Sequence, residues 1–141
     1  MCSQYAPWEV KLTLSDPKIV EFKSIAINNP MPNIESVVAT GDVDYLISVL
    51  EYKCHEMEKM NGVFVKASAT FGKDIKKYED FRKHTGLTIP QNILVFDEVQ
   101  TMFKVDIKTA SKVASIIDSF ARLGRNTGYH LLLASQEIGN D

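Results

Sequence analysis

Ile93-Leu94-Val95-Phe96-Asp97-Glu98 is four apolar residues in a row that end on two carboxylates. A short unbroken apolar run reads as a strand buried on both faces of a parallel sheet, since neither face carries the polar alternation of a half-exposed strand. Ligands of such sheets bind at the carboxyl ends of the strands. An Asp followed by a Glu at that edge suits holding Mg²⁺ and orienting a water on a nucleotide's terminal phosphate. Taken alone, the six residues fit equally well a core strand whose loop happens to begin with acids. The flanking sequence has to decide.

Upstream, Val10, Leu12 and Leu14 alternate with Lys11, Thr13 and Ser15 as a first strand, which stops at Asp16-Pro17-Lys18 because proline offers no ladder donor. A rigid loop with Pro30 and Pro32 leads to a second strand over residues 34 to 40. From about Asp42 a helix is expected, with Val43, Leu46, Ile47, Leu50, Cys54 and Met57 on one face and Glu51, Lys53, Glu56 and Lys59 opposite. Asn61-Gly62 reads as its stop. Residues 63 to 73 read as an extended piece, and Asp74 to His84 as a charged helix with Ile75, Tyr78 and Phe81 inward. Its lysines, with Arg82, read as a solvated face interleaved with acids. Gly86 to Pro90 then feeds the 93–98 strand.

Downstream, Val99, Met102 and Phe103 suggest a helical turn, and Lys108 to Leu123 a longer helix burying Ala110, Val113, Ala114, Ile117, Phe120 and Ala121. Gly124-Arg125-Asn126-Thr127-Gly128 reads as a turn that projects Arg125. Tyr129 to Ala134 is a further buried strand ending on Ser135-Gln136. Strands alternating with helices imply a three-layer α/β domain with a mostly parallel sheet. Parallel strands would set Asp16 and Lys18, Asp97 and Glu98, and Ser135 and Gln136 along one rim.

Composition agrees with a folded domain. The chain has 141 residues, enough for one core, and 45% of them are hydrophobic. A net charge of -2 leaves no overall basic field for nucleic acid, so any DNA contact is local or shared with other subunits. Cys2 and Cys54 fit neither a metal pattern nor a disulfide framework, which is usage typical of a reducing, cytoplasmic setting. No apolar run has the length of a membrane span, and the first residues lack a signal-peptide pattern.

In the order of these segments the chain resembles the motor domain of the FtsK/SpoIIIE family, hexameric ATPases of RecA-like fold that pump double-stranded DNA, with relatives in secretion. Val10 to Lys18 is similar to the family's strand ending in D-P-K, and Val20-Glu21 to the V-E that follows. Val37-Val38-Ala39-Thr40 resembles V-V-T, Glu56-Met57-Glu58 resembles E-M-E, and Tyr78 lies where a tyrosine follows. Ile93 to Glu98 resembles the Walker B strand. Gly124 to Gln136 resembles G-R-x-x-G-I-H-L-I-L-A-T-Q, the most specific match, and the likeness runs over residues 1–141 as a partial motor domain.

The resemblance implies roles. Asp97 is the Mg²⁺ ligand through water, Glu98 the catalytic base, Gln136 the sensor and Arg125 a finger acting on the adjacent subunit, with Asp16, Lys18 and Ser135 beside the nucleotide. It also implies ATP and Mg²⁺ as cofactors of the intact protein, a ring of six motor subunits, double-stranded DNA as the polymer moved in chromosome segregation or conjugation, and a cytoplasmic place with a possible membrane tether. No Gly-rich loop ending in Lys-Ser or Lys-Thr occurs in residues 1–141; Gly72-Lys73 is followed by Asp74 and has no glycine five residues before it. Glu137-Ile138 stands where the family has Arg-Pro. The expectation is a motor fragment inactive alone, with ATP binding by these residues doubtful. In the family the Walker A strand lies beside the strand that here is 129–134, so that strand is expected to be an apolar edge able to self-associate. Two alternatives stand: a non-catalytic α/β interaction module, and a fragment of a type VII-like secretion ATPase moving protein. A metal nuclease built on Asp16, Asp97 and Glu98 is disfavoured, because no lysine or histidine flanks Asp97 to position a nucleophile.

Overall fold

The computed structural model describes residues 4–18 and 31–135. Cys2, the Val20-Glu21 pair and Gln136 lie outside the described residues. Four parallel strands form one sheet in the order β2-β1-β3-β4: β1 Val10–Ser15, β2 Ile34–Val38, β3 Gln91–Phe96 and β4 Tyr129–Leu133. Between β2 and β3 run α1 (Val43–Phe71) and α2 (Tyr78–Thr85), and between β3 and β4 run α3 (Gln100–Phe103) and α4 (Ile107–Thr127). This is the parallel α/β class expected. Of its three layers, the described residues supply the sheet and one helical layer.

That layer decides which side chains are inside. Leu94, Phe96, Val38 and Tyr129 meet Leu46, Leu50 and Met57 of α1 and Val113, Ile116 and Phe120 of α4 in one core. On the other face of β3, Ile93 and Val95 are half-buried, so the apolar run is sealed on one side only, against the expectation from its composition. The inward face of α4 is also rotated from the one expected: Ile116 is buried, while Ala114 and Ala121 are exposed.

Helix α1 does not stop at Gly62. It runs 29 residues to a left-handed cap at Gly72, where φ is 60°. Its second half is held by a separate cluster, in which Phe64 and Ala67 pack with Ile75 and Phe81, the two rings 5.2 Å apart. Burying Phe64 outweighs the roughly 1 kcal/mol that an interior glycine costs a helix. A methyl at Gly62 meets nothing within 4 Å, so Gly62→Ala is expected to stabilise the chain by about 1 kcal/mol, read as a higher urea midpoint. A lower midpoint would mean that the helix is interrupted there. The segment before α2 is also less helical than its pattern suggests: Ser68 Oγ both accepts from the Ile75 amide at 3.0 Å and donates to its carbonyl at 3.1 Å, pinning an irregular link.

Lys53 is a second correction. Its spacing put it on the outer face of α1, yet it is 4% exposed. The β1–β2 register slips between Leu12 and Thr13, and the bulged Glu35 reaches Lys53 Nζ at 2.7 Å while Glu56 takes it at 2.9 Å. Burial works to lower the pKa of this ammonium, but the two carboxylates outweigh that and hold it above the ordinary value.

Candidate functional site at the carboxyl edge

Parallel register brings the strand ends together. The Asp97 amide donates to the Ser15 carbonyl at 3.1 Å, the Asp16 amide to Val38 at 2.9 Å and the Ala134 amide to Phe96 at 2.9 Å. Asp16, Asp97 and Ser135 therefore follow directly from neighbouring strands on one rim, as the pattern implies. Asp16 is almost wholly buried, Asp97 is half-buried and Ser135 is exposed.

Pro17 ends the first strand, and the Lys18 amide then donates to Asp16 Oδ1 at 3.2 Å, a local turn that carries the lysine back over the rim. Lys18 Nζ sits 2.5 Å from Glu98 Oε1. On the other side the Gln100 side-chain amide donates to Glu98 Oε2. Glu98 itself is 4% exposed. Its φ is 52°, and it is the one non-glycine residue with positive φ among the described residues. A glutamate in the left-handed region is strained, and such strain persists where surroundings over-determine it. Here the Glu98 amide donates to Asp97 Oδ1 at 2.9 Å, and the Glu98 carbonyl accepts from the Thr101 amide and hydroxyl at 3.0 and 2.9 Å. The Lys18 ammonium, aided by the Gln100 amide, holds the Glu98 carboxyl below the usual carboxylate range against the opposing pull of burial.

Gln100 and Thr101 were not legible as site residues, because their roles depend on the tight left-handed turn at Glu98. The donor set of Asp16 and Asp97, oxygen only and few in number, fits Mg²⁺, which keeps several waters and takes one or two carboxylates plus substrate phosphates. Among the described residues no group of three or more His, Cys, Asp or Glu is arranged to cage a metal.

Arg125 lies elsewhere. Rather than standing in a turn, it occupies the last turn of α4, which continues to Thr127 because the Thr127 hydroxyl donates to the Leu123 carbonyl at 2.7 Å and Gly128 alone (φ 78°) leaves the helix. Tyr129 pairs with Asn92, so this end of α4 is at the amino edge of the sheet. The six residues of β3 separate this amino edge of the sheet from the acidic rim by about 17 Å. There Arg125 and Asn126 line a cleft of about 440 Å³ with Lys77, Glu79 and Asp80.

A model of the FtsK/SpoIIIE family matches residues 1–140. The DNA translocase FtsK of Borreliella burgdorferi is 30% identical over 139 residues, which span 96% of this chain and 16% of that protein. The DNA translocase SftA of Bacillus subtilis is 30% identical over 137 residues, spanning 96% of this chain and 13% of that protein. The fold is shared with EssC (ATPases 2 and 3) from Geobacillus thermodenitrificans, with a TM-score of 0.73 at 12% identity, covering 97% of this chain and 24% of that one. It is also shared with the pCW3 conjugation coupling protein TcpA, with a TM-score of 0.62 at 21% identity, covering 94% and 36%. The four-stranded parallel sheet is thus a RecA-like P-loop ATPase fold, of which these residues form a part. With a family match over residues 1–140 and the D-P-K and Asp-Glu strand ends side by side on its rim, the chain belongs to the FtsK/SpoIIIE family.

Proposed function

We propose that this chain forms the hydrolytic edge of an ATP-driven motor that translocates double-stranded DNA, in segregation or transfer. The observation that carries the reading is the convergence of Asp16, Lys18, Asp97 and Glu98 on the carboxyl edge of β1 and β3, with Glu98 held in a left-handed turn. Mg²⁺ would supply charge neutralisation at the β- and γ-phosphates. Asp97, with Asp16 beside it, would hold the ion through water, Glu98 would accept the proton of the attacking water and Ser135 would lie beside the nucleotide; Gln136, outside the described residues, keeps the sensor role that the family resemblance implies. No glycine-rich phosphate cradle occurs in residues 1–141, so the phosphates are cradled by polypeptide other than these residues, and the chain alone turns over no ATP.

Placed at the edge of the sheet opposite its own acidic rim, Arg125 is suited to a neighbouring subunit's nucleotide, consistent with a ring of six. Duplex DNA is favoured over protein as the polymer because the D-P-K end of β1 is present and the relatives named above are DNA translocases. No described helix is long and apolar enough to cross a membrane. The test is ATP hydrolysis by the full reading frame with duplex DNA or with an unfolded polypeptide. Stimulation by duplex DNA is expected; stimulation by polypeptide alone would assign the chain to the secretion branch.

Among the described residues strand β4 forms the sheet's edge, with Leu132 54% and Leu133 40% exposed. Such an edge is a template for another strand. The isolated chain is expected to self-associate in sedimentation at high micromolar concentration, and Leu132→Lys to return it to monomer. A wild-type monomer at every concentration would remove the edge from the account.

A further inference from the structure

Each oxygen of Glu98 faces a side chain. Lys18 Nζ lies 2.5 Å from Oε1 as an ion pair that leaves this buried oxygen without a hydrogen-bond donor, and the Gln100 amide donates to Oε2, so the carboxylate proposed as the base is covered on both sides. The two lids differ. The Lys18 side chain is 54% exposed over a carboxylate that is 5% exposed, so the ammonium is the solvent-side cover, on a flexible four-carbon stem. Gln100 is the inner cover, and its own Oε1 is buried with no hydrogen-bond partner. A buried acceptor left unmade is costly, and a water entering beside Glu98 would satisfy it.

The geometry points to a gate: Lys18 withholds Glu98 in the ligand-free state, a polyphosphate at the rim draws the ammonium away, and the water that enters is positioned by Gln100 Oε1 against Glu98. Lys18 and Gln100 are then positioning residues that act through Glu98. The inference rests on the reading of this edge as a phosphate site. The driving force is an exchange of one carboxylate partner for a more highly charged phosphate, which a lysine ammonium accepts as a point charge. Asp16 and Asp97 keep their turn contacts throughout, since these are made to the backbone of Lys18 and Glu98.

The test uses the full reading frame, which includes the polypeptide that cradles the phosphates, with a water-soluble carbodiimide, glycinamide and peptide mapping by mass spectrometry. Carbodiimide activates the Glu98 carboxyl, the Lys18 amine attacks it, and the two join as an amide with the water taken up as the urea. Without ligand the Lys18–Glu98 amide is expected to dominate over glycinamide addition at Glu98. With magnesium pyrophosphate the amide is expected to fall at least about fivefold and the glycinamide adduct to rise in its place. Lys18→Met is expected to give the adduct with or without pyrophosphate; Lys18→Gln serves if that variant melts early. Absence of the amide in the ligand-free chain, or an amide yield unchanged at every pyrophosphate concentration, overturns the gate. Pyrophosphate carries neither nucleoside nor DNA, so the outcomes separate. A working gate without ATP turnover by the full reading frame would sink the motor reading alone, while DNA-stimulated turnover with an unresponsive amide would sink the gate alone.

Discussion

Gly124→Ala is expected to destabilise the chain by about 3 kcal/mol, although glycine to alanine inside a helix ordinarily stabilises it. Gly124 lies in the last turns of α4 and is buried. A methyl built there overlaps the carbonyl oxygen of Tyr129, at the start of β4. The obstacle is backbone on both sides, so no side chain can rotate out of the way, and either α4 lifts from the sheet or β4 loses its pairing with β3. The melting temperature, followed by circular dichroism, is expected to drop by roughly 10 °C. Gly62→Ala is the matched control of opposite sign, since the same methyl on α1 meets open space. A neutral or stabilising Gly124→Ala would mean that α4 and β4 do not approach this closely. The two glycines of the G-R-x-x-G segment therefore have different physical jobs. Gly124 permits contact between backbones, whereas Gly128 adopts the left-handed cap from which β4 begins.

Glu98→Gln carries the largest expected effect on chemistry. In the full reading frame kcat for ATP is expected to fall about 10²–10⁴-fold, the range of a positioned proton acceptor, while nucleotide binding is retained. Glutamine keeps the shape and the oxygen that faces Lys18 but cannot take a proton from water. The same substitution leaves Asp97 and its bond from the residue-98 amide in place, so loss of metal is not the cause. Single-turnover hydrolysis beside equilibrium binding of a labelled nucleotide separates the two quantities. Loss of both together would move Glu98 from proton transfer to binding.

Much of this was legible in the chain because strand ends are local. Apolar runs and proline or glycine stops marked all four strands, and parallel order then put Asp16 and Asp97 on one rim. The edge position of β4 was also foreseen, though most of its residues are exposed rather than buried. What failed depended on contacts across the fold. Gly62 looks like a helix stop until Phe64 is seen packing on Phe81. Lys53 looks solvated until the bulge turns Glu35 towards it. Arg125 between two glycines looks like loop, but Thr127 bonds back to Leu123 and keeps the helix going. At the site, residue identities suggested chemistry, while the engagement of Glu98 by Lys18 and Gln100 follows from a positive φ that no local pattern announced.

In the proposed motor the edge shared by β1 and β3 holds the metal of a nucleotide complex. Fe²⁺ in place of Mg²⁺, with ATP and the full reading frame, cuts backbone next to the bound metal when peroxide and ascorbate are added. The account predicts nucleotide-dependent cuts flanking Asp16 and Asp97, lost in Asp97→Ala. Cuts centred on the amino-edge cleft near Arg125, or a pattern indifferent to nucleotide, would contradict it.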